Sequence, residues 1–508
     1  MSTANRVIKN TGFLYAKMGI TMFISLYTTR LILNALGASD FGIFNVVGGA
    51  IAMLGFLHAA MSSATQRFMS YYEGKGDIEI QKHIFNISSV LHFGIALILA
   101  LVLVIAGFFF FNGILNIPTD RMLAAKVIFG SLILSTVFTV MNVPYEAVLN
   151  AHENMLYYSI VGVVESLLKL GVALIIVNYA GDKLILYGIL MASIPFISRT
   201  IMQVYCRRKY TECVIAPRKY WDKCMLKEMT SFAGWSFLDS SSSMINQYGL
   251  GIVLNSFFGP ILNAAQGIAN QVSGQLMVFS NNMLKALAPV IVKSEGRGNR
   301  EIMLYTSMIG SKFAFVLLAF FAIPFIIETP FILKIWLKNI PEWSIIFVRL
   351  QLIRSLADQL FITLGSTINA QGEIKGFTIS RSILNYLPIL ATTILFSFNL
   401  PPYFLYIVWI LFSAILGGLV SLYFAKKKTG LVYSTYIRLV ILPSLILSFF
   451  TMVVGIIPKL ILEPSLPRLF LVGCLTSLVI ILLLWNFFLE KQEKEVITNL
   501  INTLIKKF

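Results

Sequence analysis

The sequence predicts an all-α polytopic membrane protein with about fourteen transmembrane helices, and three observations carry that reading. Of 508 residues, 57% are hydrophobic and only 12% are charged, and the mean hydropathy is +0.81. A soluble domain of this length carries roughly 25% charged residues to cover its surface. Apolar stretches long enough to cross ~30 Å of hydrocarbon recur from one end to the other. Period-two alternation is absent at useful length, which excludes a β-barrel.

In order, the expected segments are 11–36, 42–69, 84–111, 122–143, 157–179, 184–206, 230–256, 264–292, 303–327, 343–369, 378–397, 403–424, 436–457 and 468–489. The first follows a short basic start, Arg6 and Lys9, and is too long for a signal-peptide core, so it reads as a retained anchor. Alternate loops carry Arg6/Lys9, Lys75/Lys82, a basic stretch at 207–227, Lys293/Arg297/Arg300, Lys426 to Lys428 and Lys491/Lys494. The opposite loops hold little beyond Arg121, Lys183, Lys334, Lys338, Lys459 and Arg468. By the positive-inside rule both termini are cytoplasmic. The four cysteines show no Cys-x-x-Cys spacing and read as free thiols, with no metal site and no cofactor implied.

An internal repeat organises the chain. At one constant offset Gly37 recurs as Gly259, Glu73-Gly-Lys-Gly-Asp77 as Glu295-Gly-Arg-Gly-Asn299, Met61 as Met283 and Ala64 as Ala286. At an offset three residues shorter, Leu149-Asn-Ala-His152 recurs as Ile368-Asn-Ala-Gln371. Six helices per half imply a parallel repeat with its pseudo-twofold axis along the membrane normal, and alternating access by rocking one lobe against the other. The expected domains are an N-terminal six-helix lobe at 1–210, a cytoplasmic linker at 211–229 and a C-terminal six-helix lobe at 230–425. An additional helix pair at 436–489 and an amphipathic cytoplasmic tail at 490–508 follow.

Charges inside spans cost about 2.5–3.5 kcal/mol each on translocon scales, so they face a cavity, a partner or the interface. Here bases dominate. Lys17, Arg30, Arg67, Lys285, Arg349 and Arg354 are the candidate substrate-binding cations, and Glu165, Asp239 and Asp358 the candidate ion-coupling acids. The bland readings are specific. Arg30 can snorkel to the interface, and Glu165/Lys169 and Arg354/Asp358 can neutralise each other at i, i+4. Lys17 and Lys285 lack a same-helix acid, and Asp239 occupies the repeat position of Lys17. A cationic cavity suits a phosphate-bearing headgroup, because charged hydrogen-bond donors replace its lost hydration. Polar runs at 62–67 and 239–247 offer hydroxyls and amides for sugars. No P-loop is present, so nucleotide hydrolysis is not expected, and the net charge of +17 reads as positive-inside bias plus a basic cavity, without nucleic acid.

Phe41-Gly-Ile-Phe-Asn-Val-Val-Gly-Gly49, Ala60-Met-Ser-Ser-Ala-Thr-Gln-Arg-Phe68 and the acid-Gly-basic loop that follows resemble Wzx-type O-antigen and capsule repeat-unit flippases of the multidrug/oligosaccharidyl-lipid/polysaccharide (MOP) exporter superfamily. The resemblance covers roughly residues 5–425. It implies a non-enzymatic transporter that moves an undecaprenyl-pyrophosphate-linked oligosaccharide from the cytoplasmic to the periplasmic leaflet, coupled to H⁺ or Na⁺, alongside a polysaccharide polymerase and assembly machinery. Helices 13 and 14 depart from the twelve-helix pattern of many relatives. The rivals are a MATE-like multidrug or cation antiporter, which wants acids rather than bases in its cleft, and a membrane glycan polymerase or transferase, which wants a long catalytic outer loop. The longest such loop expected here runs over 328–343.

Overall fold

A computed structural model describes residues 3–52, 56–114, 118–337 and 339–489, with Lys494 and Thr498. The described residues are helical with no strand. The amphipathic tail expected at 490–508 otherwise lies outside them. The helices are α1 (Thr3–Ala52), α2 (Phe56–Lys75), α3 (Ile78–Phe109), α4 (Met122–Ala151), α5 (Met155–Asn178), α6 (Lys183–Lys209), α7 (Lys223–Phe258), α8 (Pro260–Gly296) and α9 (Arg300–Trp336). After them come α10 (Ser344–Gln359), α11 (Ile362–Ala370), α12 (Lys375–Ser397), α13 (Phe404–Trp409), α14 (Gly417–Thr429), α15 (Tyr433–Tyr436), α16 (Leu442–Ile461) and α17 (Leu466–Leu483). A π-helical turn at Ile410–Leu416 joins α13 to α14 in one span.

Eleven of the described helices are long and apolar enough to cross a membrane. The other three expected segments, 42–69, 230–256 and 343–369, fall short of that measure among the described residues, which omit 53–55. The reason is their content. The first holds Ser62, Ser63, Thr65, Gln66 and Arg67, and the second Asp239, Asn246 and Gln247. The third holds Arg349, Arg354 and Asp358 and is interrupted between α10 and α11. The outer loop expected at 328–343 is also shorter than its sequence suggests, because α9 continues to Trp336 and buries Glu328 completely.

The repeated motifs adopt repeated local geometry. Gly37 breaks α1 at φ 78, ψ 169, and Gly259 separates α7 from α8 at φ 78, ψ −176. Gly76 and Gly298 both have φ 73. Asp77 then caps α3 by accepting from Ile80 N, and Asn299 caps α9 by accepting from Ile302 N. Farther on, Glu153 (φ 55) and Gly372 (φ 87) hold the matching left-handed positions after α4 and α11.

The chain forms two compact units, one of Lys9–Ser240 and one of Met1–Ile8 with Ser241–Phe508. In the first, α4 packs on α2, α3 and α6 around Leu99, Leu103, Ala125 and Ile128. Residues 211–222 of the expected linker are docked chain: Asn86 on α3 donates to Val214 O and accepts from Ala216 N, both at 2.8 Å. In the second unit α8, α9 and α10 surround Leu254, Phe315, Phe347 and Leu352, and α16 and α17 pack on α9.

Gly259 supplies a test of this framework. A Cβ there meets no atom within 4 Å, so its only penalty is the backbone conformation. Gly259→Ala is expected to cost about 1–3 kcal/mol, whereas Gly267→Ala, at an equally open site inside α8, is expected to be neutral or stabilising. Thermal midpoints of the purified variants measure both, and equal midpoints would discount the glycine hinge.

Candidate functional site

The second unit contains a polar cavity of about 260 Å³. α7 contributes Ser243, Asn246 and Gln247, α10 contributes Arg354 and Asp358, α12 contributes Arg381 and Asn385, and the α13–α14 span contributes Trp409 and Ser413. Each pair sits one helical turn apart, so each helix presents one polar face to the same space. Arg354 is held on three sides. Its Nη1 donates to Asp358 Oδ2 at 2.7 Å, its Nε donates to Gln351 Oε1 at 3.2 Å, and its guanidinium lies 4.1 Å from the centroid of a Trp409 ring. Asp358 also lies in the field of Arg381. Two guanidinium groups therefore meet one carboxylate, and the cavity carries a net positive charge.

Amides and hydroxyls complete the wall. Asn385 Nδ2 donates to Ser242 Oγ at 3.0 Å and to Ser243 Oγ at 3.1 Å. The Asn246 amide oxygen accepts from Trp409 Nε1 at 3.1 Å and Ser413 Oγ at 3.2 Å, while its nitrogen donates to Asn385 O at 3.2 Å. Such a lining can hold an anion and orient hydroxyl-rich ligands.

Of the nine residues singled out from sequence, only Arg354 and Asp358 share this cavity. Arg381, Asn385, Trp409 and Ser413 were not in that set. The i, i+4 spacing of Arg381 and Asn385 on one span was the signal available for two of them. Lys17 lies in the first unit, its Nζ 4.3 Å from the centroid of the Tyr158 ring. Gly162 makes room for it, since a Cβ there would come within 2.6 Å of Nζ. Glu165 pairs with Lys169 at 3.1 Å on a half-exposed face. Arg67 lies over Phe68 and Tyr71, at 4.5 and 4.9 Å. Arg30 is exposed, whereas Lys285 and Asp239 are half-buried, one on α8 and the other on α7. Arg349 donates through Nε to Ile326 O at 3.0 Å and does not line the cavity.

A second ionised cluster sits outside the apolar spans. His152, in the turn after α4, places Nε2 2.5 Å from Glu212 Oε1 and Nδ1 3.3 Å from Glu73 Oε1, and stacks on Tyr210 at 4.2 Å. Burial favours the neutral ring, but the hydrogen bonds and charges of Glu212 and Glu73 outweigh it and raise its pKa from 6.5 to about 9. At the repeat position Gln371 meets Arg300, which in turn pairs with Glu295 at 2.8 Å.

Residues 7–295 match the family described as polysaccharide biosynthesis protein. No curated protein matches the chain by sequence. Solved structures of similar fold include a multidrug-resistance MATE family transporter of the MOP superfamily in an outward-facing conformation, with a TM-score of 0.70 at 15% identity over 84% of this chain and 95% of that one. A MATE transporter in a bent conformation has a TM-score of 0.72 at 15% identity, covering 85% and 96%. A MOP superfamily transporter from Pyrococcus furiosus, described as having a binding pocket of reverse polarity, has a TM-score of 0.65 at 16% identity, covering 84% and 95%. At these identities the likeness establishes the fold.

The His152 cluster predicts a pH-dependent stability. Its folded pKa lies above the unfolded one, so its stabilisation is complete below about pH 6.5 and is lost as pH rises through about 9. The thermal midpoint of the native protein should exceed that of His152→Gln at pH 6, and the difference should vanish by about pH 10. A difference that stays constant over that range would rule out the charged ring.

Proposed function

Since the chain belongs to the polysaccharide biosynthesis protein family and is a multi-pass membrane transporter, we propose that it flips an undecaprenyl-pyrophosphate-linked oligosaccharide from the cytoplasmic to the periplasmic leaflet of a bacterial inner membrane. Both termini are cytoplasmic in this reading, and inward movement of H⁺ or Na⁺ drives alternating access. The supporting observation is the cavity in which Arg354 and Arg381 outnumber Asp358 among amides and hydroxyls. The guanidinium groups suit phosphate or an acidic sugar, Asn246, Gln247 and Asn385 suit sugar hydroxyls, and the Trp409 face suits a pyranose ring. Lys17 and Lys285 add cations reached from the cytoplasm, and Asp358 and Asp239 are the carboxylates available to the coupling ion. A carrier of cationic drugs, the reading nearest to the MATE-like fold, needs the opposite balance of charge. The lipid-linked product then meets a periplasmic polymerase.

Complementation of a strain lacking the gene tests this. Arg354→Ala and Arg381→Ala should each remove a charged contact worth about 1.5–3 kcal/mol, roughly a 10- to 150-fold loss of transport. Lipid-linked oligosaccharide should then accumulate on the cytoplasmic side while protein level is kept. Lys17→Ala and Lys285→Ala should also lose surface glycan, with Lys→Arg partly tolerated. Asp239→Asn or Asp358→Asn should abolish the pH or Na⁺ dependence if that acid carries the ion. Normal glycan display in all of these variants, or efflux of cationic drugs by the native protein, would refute the proposal.

A further inference from the structure

We infer that the end of the second unit farthest from the Lys293–Arg300 loop carries a binding site for an anionic phospholipid. Arg349 and Lys459 hold its phosphate, and one acyl chain lies in an apolar groove between α9 and α17. The site shares no lining residue with the cavity described above and does not depend on the transport reading.

The polar half of the site is built around a break in α9. Glu328 leaves helical geometry at φ −97, ψ 15 between Pro324 and Pro330, and its side chain is fully buried. Arg468 of α17 donates to Glu328 Oε2 at 2.6 Å and to Leu462 O at 3.0 Å, and is itself only 6% exposed. That pair engages one carboxylate oxygen, and Glu328 Oε1 is buried with no hydrogen-bond partner. Arg349 and Lys459 share the field of Glu328, and Lys459 also feels Arg349 and Arg468. Among the described residues Arg349 uses only Nε, on Ile326 O, and no acceptor meets its terminal nitrogens or the exposed Lys459 ammonium. Three cations thus surround one carboxylate. The distribution of Lys and Arg assigns this end to the outside, where basic residues are scarce and a cluster of them needs a counter-ion.

The apolar half adjoins it. A groove of about 320 Å³ opens between α9 and α17, walled by Phe321, Phe325, Ile332, Leu469, Phe470 and Gly473. Glu328 lies between Phe325 and Ile332 along α9, and Arg468 immediately precedes Leu469. The ion pair therefore closes the same helix contact that lines the groove. Gly473 keeps the groove open, with no atom within 4 Å of where its Cβ would stand. Excess positive charge beside an open, chain-wide apolar channel matches a phosphodiester joined to an acyl chain, and a zwitterionic lipid would leave that charge uncompensated.

Native mass spectrometry of the delipidated full-length protein tests this, with phosphatidylglycerol, phosphatidylethanolamine and undecaprenyl pyrophosphate as probes. Phosphatidylglycerol should be retained in preference to phosphatidylethanolamine. Arg349→Gln and Lys459→Gln should each lower that retention by about fivefold. Gly473→Leu, at a position where an added Cβ meets no atom within 4 Å, should lower it by filling the groove while leaving the thermal midpoint in place. Three results would overturn the site: equal retention of the two phospholipids, retention unchanged in Lys459→Gln and Gly473→Leu, or preference for undecaprenyl pyrophosphate over phosphatidylglycerol.

Discussion

Inside hydrocarbon no water meets a broken helix, so each departure from helical geometry needs another group to take over its backbone bonds or a residue that can turn without them. The breaks in this chain follow that constraint. Between spans, Gly37 and Gly259 turn at positive φ with no side chain to clash. Between α10 and α11 the carbonyl of Leu360 accepts from the Tyr436 hydroxyl at 2.6 Å, and Thr363 N donates to Ser311 Oγ at 3.4 Å. Tyr436 precedes α16, so the helical pair outside the repeat supports a break two residues beyond Asp358. Its packing therefore bears on the geometry of the charged cavity, although neither α16 nor α17 lines it.

The same constraint explains what could be read from sequence. Helices that face lipid on one side announce themselves by hydropathy, and the glycine turns announce themselves because few other residues hold their conformation. Segments 42–69, 230–256 and 343–369 read as spans by their length, although their polar content lowers the apolar signal. Two of those three line the cavity: α7 through Asn246 and Gln247, α10 through Arg354 and Asp358.

Tertiary partners were less legible. Arg354 and Asp358 could be paired at i, i+4, but nothing in the sequence places Arg381 of α12 or Trp409 beside them. Glu328 sits between prolines near the end of an apolar run and reads as loop, because its burial depends on Arg468, 140 positions away. The role of Lys312, a base within α9, also depends on a distant partner. Its Nζ donates to Phe488 O at 3.0 Å in a fully buried site, where a cation caps the last carbonyls of a helical segment. His152 was visible only as one letter of a repeat, because its partners come from elsewhere, Glu73 from the last turns of α2 and Glu212 from the segment after α6.

Burial separates the structural ion pairs from those available to a ligand. Arg468 and Glu328 are 7% and 0% exposed at their side chains, so their charges are spent on each other. Arg354 and Asp358 make a contact of similar length, yet their side chains keep 15% and 25% exposure toward a cavity. Arg354 is also fixed by Trp409 and Gln351, which lowers the entropy lost when it grips an anion. Removing Asp358 would leave two guanidinium groups facing each other across the same space, with no carboxylate to hold one in register. In the proposed function the acid would serve an anion site by orienting its base, and protonating it would loosen that orientation. Under that proposal, ion coupling and release of an anionic ligand would act through one side chain.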